Sequence, residues 1–126
     1  MLQRSFEIHD KLMKIDKIYI EKLYQNSMQD DPAHKSMQIF DSLARTKECL
    51  DAIHNSFYFD CDKDDKMQLL EYYDRYIINS HFFRDYRDYV GDPRTRALHP
   101  KVVKSCQKKF YDINTIINRV RREVGL

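Results

Sequence analysis

Glycine and proline are scarce in this chain of 126 residues, with two and three copies, and tryptophan is missing. Sandwiches and barrels need many tight turns, which glycine and proline usually supply, so this composition argues against an all-β protein. Two glycines are also too few to build a glycine-rich phosphate loop. The composition therefore favours a helical protein, whose bulk comes from nine tyrosines and seven phenylalanines.

Cysteine is also sparse, and its three copies at Cys49, Cys61 and Cys106 have no paired spacing. An odd number without pairing predicts neither a disulfide framework nor a zinc knuckle, and it favours a reducing compartment. No charged-then-apolar leader opens the chain, and no apolar run approaches the length of a membrane span. We therefore expect a soluble, cytoplasmic protein that does not enter a membrane.

Charge is plentiful and unevenly placed, although the net charge is only +2. Residues 1–83 carry 11 basic and 15 acidic side chains, whereas residues 84–126 carry 11 basic and 5 acidic side chains. The basic C-terminal region favours an acidic partner, either a protein or a nucleic acid.

Apolar residues recur at spacings of three and four, which is the pattern of helices that bury one face. The first helix is predicted from about Gln3 to Met28, and its stripe consists of Ile8, Leu12, Ile15, Tyr19 and Leu23. The second helix is predicted to begin at Pro32, after the N-cap Asp31, and to bury Phe40, Leu43, Leu50, Ile53 and Phe57. Lys47 interrupts this second stripe.

Two further helices follow in the C-terminal half. The third is predicted to bury Met67, Leu70, Tyr73 and Ile77 and to continue to His81-Phe82-Phe83, and an irregular connection is expected from Gly91 to His99. The fourth begins at Pro100 with the most regular stripe: Val103, Cys106, Phe110, Ile113, Ile117, Val120 and Val124. That stripe fits either a bundle wall or a coiled coil in a homodimer. The fold class predicted is a single all-α domain over residues 1–126, an antiparallel four-helix bundle.

The segment from Asp60 to Glu71 has acids at its first, third and fifth positions, an apolar residue at its eighth and a glutamate at its twelfth. This spacing resembles the calcium loop of an EF-hand, in which a tight loop aims alternate oxygens at a hard cation. The resemblance implies that the ligands of a Ca²⁺ ion are Asp60, Asp62, Asp64, the Lys66 carbonyl, Gln68 through a water, and Glu71 with both oxygens. It also implies a helix–loop–helix that splays the second and third helices.

The same segment departs from the family pattern at its sixth position, where Asp65 replaces the usual glycine. A positive φ there costs a non-glycine residue about 1–2 kcal/mol. The partner hand that EF-hands usually have is matched only by the degenerate segment from Asp30 to Asp41, with Pro32 and His34 at ligand positions. The alternative is a plain connection in which Asp64 or Asp65 caps the next helix.

Arginine and tyrosine alternate with aspartate from Arg84 to Tyr89. Tyrosine and arginine dominate binding hot spots, so one interpretation is a partner-binding surface. Its members would be Arg84, Tyr86, Arg87 and Tyr89. The other interpretation is a solvated helix end whose tyrosine rings lie on the core.

Arg94 and His99 are separated by four residues, and this spacing resembles the Arg-x4-His motif of HEPN-family ribonucleases, which are also small helical bundles. The resemblance implies that Arg94 stabilises phosphate charge and that His99 transfers the proton. Arg75 and His81 satisfy a looser form of the same pattern. A role of His99 in starting the next helix explains it equally well, since Pro100 follows.

Three functions remain open from the sequence. The protein is a non-catalytic module that binds another protein and is modulated by Ca²⁺, or an ion-free adaptor, chaperone or assembly subunit, or an HEPN-like nuclease. We favour the first, because a nuclease motif of this spacing arises easily in a chain rich in arginine.

Overall fold

The computed structural model describes residues 2–25, 32–57 and 63–126, and this part of the chain is helical and contains no strand. The helices are α1 (Leu2–Gln25), α2 (Pro32–Phe57), α3 (Lys63–Tyr73), α4 (His81–Gly91), α5 (Pro93–Leu98) and α6 (Pro100–Glu123). A π-helical turn, Asp74–Ile78, joins α3 to α4. The all-α, bundle-like fold predicted from the sequence is confirmed.

The predicted stripes of the first and last helices lie in the interior. All five residues of the α1 stripe are buried, as are six of the seven in the α6 stripe, with Phe110 half-buried against them. The buried side chains of the helices form one continuous core in which α2 packs against both α1 and α6. The α6 stripe therefore packs against other helices of the same chain rather than against a second copy in a coiled coil.

The stripe of α2 is buried as predicted at Leu43, Leu50 and Ile53 but begins at Ile39 rather than Phe40, and the side chain of Phe57 lies outside what the structure describes. Ile39 is fully buried, whereas Phe40 is 37% exposed. The predicted interruption at Lys47 is filled by Thr46, which is also fully buried and whose hydroxyl donates to the Ser42 carbonyl at 2.8 Å. Because that hydrogen bond satisfies the hydroxyl inside its own helix, threonine packs there much as an apolar side chain would.

The predicted third helix is divided in two, which corrects the prediction of one continuous element. The π-helical turn ends at Asn79, and Ser80 then starts α4 as its N-cap, with its hydroxyl accepting from the Phe83 backbone at 3.1 Å. Met67 is also 42% exposed rather than buried. Leu70, Tyr73 and Ile77 are buried as predicted, and Leu69 is buried where Met67 was expected.

The stretch after Gly91, expected to be irregular, contains the short helix α5. Asp92 caps it by accepting from the Arg94 backbone N–H at 2.9 Å, and Pro93 occupies its first turn, where no N–H is needed. Pro100 likewise occupies the first turn of α6. That helix ends in a Schellman arrangement at Gly125, where φ is +85°.

Two contacts from α1 fix the position of α4. The Tyr19 hydroxyl donates to Asp85 at 2.6 Å, and an Asp16 oxygen accepts from the Phe82 backbone N–H at 3.0 Å. Burial, the bond to Asp85 and nearby carboxylates raise the pKa of Tyr19, so its hydroxyl stays a donor. These two hydrogen bonds therefore fix where the first turns of α4 pack along α1. Among the described residues, no helix is both long and apolar enough to cross a membrane.

Candidate functional site

The predicted calcium loop lies partly outside the described residues, because Asp60 and Asp62 are not among them. Its remaining ligand positions, from Asp64 to Glu71, lie on α3, which begins at Lys63. Asp64 and Asp65 occupy the first turn of that helix, where negative charge stabilises the helix dipole. The calcium loop stays a prediction, and the helix-start alternative agrees with the position of these two aspartates.

Two of the predicted ligands on α3 have ion-pair partners. The Lys66 ammonium lies 3.2 Å from Glu123 of α6, and Glu71 accepts from the Arg75 guanidinium at 3.0 Å. Lys66 was predicted to contribute only its carbonyl, so its ion pair leaves that role untouched. Within the described ranges, no three His, Cys, Asp or Glu side chains come together as a metal site.

The predicted partner-binding surface on α4 is divided by burial. Tyr86 is only 5% exposed and packs against Phe83 and Phe110, with ring centroids 5.5 and 5.4 Å away. Burial raises the pKa of Tyr86 to about 12. Arg84 and Arg87 are exposed and Tyr89 is half-buried, so these three are the members that a partner could reach.

Arg94 and His99 lie at the two ends of α5, and both are exposed. The His99 backbone joins two helices, because its N–H donates to the Thr95 carbonyl at 2.7 Å and its carbonyl accepts from Val103 at 3.1 Å. The nuclease motif stays a prediction, and the helix-start role of His99 has these hydrogen bonds in its support.

A cavity of about 260 Å³ lies where α1, the π-helical turn and α4 meet. We call it the His81 cavity, and its polar lining includes Asp16, Lys17, Arg75, Tyr76, Asn79 and His81. The His81 ring nitrogen Nδ1 lies 2.8 Å from Asp16 Oδ2. Because a carboxylate only accepts, Nδ1 carries the hydrogen and Nε2, across the ring, is left for another group.

Aromatic contacts hold one wall of the His81 cavity. The Tyr76 hydroxyl is hydrogen-bonded to Nε2 of His9, and the His9 ring meets Tyr72 and Tyr76 edge-on at centroid distances of 5.3 and 4.9 Å. The Arg75 guanidinium lies 5.9 Å from both tyrosine ring centroids. This wall is therefore positioned by α1, α3 and the π-helical turn together.

A second concavity lies between the N-terminal parts of α2 and α6, with a volume of about 360 Å³. We call it the Phe40 groove, and it is lined by Ser36, Met37, Phe40, Lys101, Val102 and Ser105. Its three apolar members are unusually open to solvent: Met37 is 59% exposed, Val102 38% and Phe40 37%. The Lys109 ammonium lies 5.7 Å from the Phe40 ring centroid, within the range of a cation–π contact.

Comparison with protein-family models, curated proteins and solved structures returned no match for this chain.

Sequence reasoning missed both concavities. Asp16 and His81 are 65 residues apart, and nothing in the sequence signals that they pair. The sequence links Arg75 and His81 only through a loose match to a nuclease motif, although both line the same cavity. Phe40 was assigned to the core because its spacing from Leu43 fits a helical stripe. The one available signal for the Phe40 groove was that Ile39 fits the same stripe equally well.

Proposed function

We propose that the protein is a helical interaction module that binds an acidic amphipathic helix of another protein in the Phe40 groove. The observation that carries this proposal is the exposure of Met37, Phe40 and Val102 side by side in one concavity. Contiguous exposed apolar side chains with a polar rim mark interaction sites more often than scattered ones do.

The chemistry of the groove floor supports a protein partner. Methionine is flexible and polarisable, and it is common on surfaces that accommodate apolar side chains of a partner. A shallow apolar groove between two helices suits the apolar face of a third helix, whose anchors recur every three or four residues. The serines at the rim, Ser36 and Ser105, lie where the polar edge of such an interface is expected.

The charge around the groove supports an acidic partner. The first ten residues of α6 contain four lysines and no acid. Lys101 lines the groove, Lys104 and Lys108 are exposed on the same helix, and Lys109 lies over the Phe40 ring. Charge complementarity of this kind raises association rates and disfavours basic partners. This agrees with the excess of basic residues after residue 83.

The proposal is tested by binding of two fluorescent model helices that share a leucine stripe. One carries glutamate and the other lysine at every remaining charged position. We expect the acidic helix to bind, with an affinity that Met37→Ser and Phe40→Ser each reduce by about tenfold, which corresponds to about 1.4 kcal/mol. The basic helix should bind far more weakly, as followed by fluorescence anisotropy.

The matched control is Leu98→Ser, because Leu98 is 73% exposed but lies on α5, outside the groove lining. This variant should bind like the wild type. Equal affinities for the acidic and basic helices, or an equal loss from Leu98→Ser, would show that binding is nonspecific and would overturn the proposal. Circular dichroism of each variant confirms that it remains folded.

Modulation by Ca²⁺ through residues 60–71 belongs to the same proposal. Lys66 of α3 is paired with Glu123 of α6, and α6 forms one side of the groove. A rearrangement of α3 would therefore disturb an ion pair to that helix. A loop around the ion requires Asp64, its fifth residue, to leave its present helical position, whereas Glu71 at the twelfth position lies where the outgoing helix of an EF-hand has already begun. Binding of Ca²⁺ would therefore unwind the first turns of α3.

A further inference from the structure

The His81 cavity brings together side chains from three separate elements. Asp16 and Lys17 come from α1, Arg75 and Tyr76 from the π-helical turn, and His81 from the first turn of α4. The cavity has a volume of about 260 Å³ and is partly open to solvent. It suits a small polar ligand rather than a polymer.

Asp16 orients the His81 ring, and both of its carboxylate oxygens accept hydrogen bonds. Its Oδ2 accepts from His81 Nδ1 at 2.8 Å, and its Oδ1 accepts from the Phe82 backbone N–H at 3.0 Å. The carboxylate is 18% exposed, whereas the His81 side chain is 57% exposed. The aspartate therefore fixes the ring, and the second ring nitrogen of His81 remains for a ligand.

Two permanent cations line the same cavity. Lys17 follows Asp16 on α1, and Arg75 reaches the cavity from the π-helical turn. The ion pair of Arg75 with Glu71 joins two side chains that are each more than half exposed, so a ligand that binds Arg75 more tightly can replace it. The lining holds these two cations and one carboxylate, Asp16, which already accepts from the N-terminal end of α4.

Arg75 lies on the π-helical turn and lines the cavity from there. Such turns are rare, and they occur frequently at functional sites because the extra residue redirects neighbouring side chains. Here the turn is locked by Asn79, whose backbone N–H and side-chain amide both donate to the Asp74 carbonyl at 3.2 and 2.9 Å. Retaining this less favourable helical geometry is consistent with a role for the residues it presents.

We propose that the His81 cavity binds the phosphate group of a small molecule. Lys17 and Arg75 neutralise the phosphate charge. The His81 ring nitrogen Nε2 accepts from a P–OH group, or donates to a phosphate oxygen when the ring is protonated. An arginine fork matches phosphate geometry, and charge-assisted hydrogen bonds of this kind are the stronger ones. This site is independent of the Phe40 groove.

The test uses inorganic phosphate as the probe, with ionic strength held constant by chloride. Nitrogen-detected NMR of the imidazole rings follows His81 during the titration, and we expect a saturable change at His81. Arg75→Gln and Lys17→Gln should each weaken binding by about tenfold, or about 1.4 kcal/mol. His81→Gln, read by calorimetry, should weaken it as well.

The matched controls are Arg119→Gln and Lys11→Gln, which remove the same residue types from exposed positions outside the lining of the His81 cavity. They should leave phosphate binding unchanged. Adenosine 5′-monophosphate should also bind, and adenosine should not. Tighter binding of the nucleotide than of phosphate would assign the site to a phosphate ester, and equal binding to free phosphate.

Three results would overturn the proposal. One is the absence of a saturable change at His81 with phosphate. Another is an equal loss of affinity in the Arg119 and Lys11 controls, which would indicate general attraction to a basic protein. The third is binding of adenosine as tightly as of its monophosphate, which would show that the phosphate group is not what the cavity recognises.

Discussion

Single buried side chains determine how this protein responds to alkaline pH. Cys106 is fully buried, and burial raises the pKa of its thiol from 9.0 to about 11. Burial likewise raises the pKa of the half-buried Cys49 to about 11, with Lys11 opposing it. In the unfolded chain both thiols lose their protons near pH 9, so the folded state holds more protons between pH 9 and 11.

We predict that the free energy of unfolding falls as pH rises from 9 to 11. The contribution of each thiol is fully present below pH 9 and is lost as pH approaches 11, at up to about 1.4 kcal/mol per pH unit. Cys106→Ala should make the fall less steep by that amount, as measured by urea unfolding at a series of pH values. Ser105→Ala, an exposed and non-ionising neighbour, should not change the slope. An unaltered slope in Cys106→Ala would contradict this account.

The helices that bury one face along their whole length were predictable from the sequence. The stripes of α1 and α6 repeat regularly because each faces the core throughout its length, and Leu12 and Ile113 are fully buried as expected. The π-helical turn and α5 were not predictable. A π turn depends on hydrogen bonds such as those of Asn79 to Asp74, which leave no periodic pattern.

The junction of the π-helical turn with α4 rests on Ser80. Its hydroxyl accepts from the Phe83 backbone at 3.1 Å and donates to the Ile77 carbonyl at 2.6 Å, and the residue is only 6% exposed. We predict that Ser80→Ala lowers the free energy of unfolding by about 1–2 kcal/mol. Ser80→Thr, which keeps the hydroxyl, should lose less. Equal losses in chemical denaturation would assign the effect to packing rather than to the cap.

The first turns of α3 provide a direct test for calcium. If residues 60–71 bind the ion, saturation at 100 times the dissociation constant should stabilise the protein by about 2.7 kcal/mol and should reduce helical circular dichroism as α3 unwinds. Asp64→Asn together with Glu71→Gln should abolish both effects. Sodium chloride at the same ionic strength is the control. If calcium alters neither the stability nor the circular dichroism, Asp64 and Asp65 keep only the helix-start role.

At the scale of the whole molecule, the sequence predicted the character of the surface but not its sites. The basic C-terminal region was evident from residues 84–126, and one of its lysines, Lys101, lines the Phe40 groove. The groove itself joins Met37 to Val102, and the His81 cavity joins Asp16 to His81. Contacts between residues so far apart depend on how the helices pack, and one sequence carries no record of that.

Three exposed methionines make the location of binding measurable in one experiment. Met37 lies in the Phe40 groove, Met13 lines the His81 cavity, and Met67 lies on α3. With methionine methyl groups labelled with ¹³C, titration with the acidic model helix should shift or broaden the Met37 signal and leave those of Met13 and Met67 unchanged. Equal changes at all three methyl groups, or changes at Met13 or Met67 without Met37, would contradict the assignment of the Phe40 groove as the binding site.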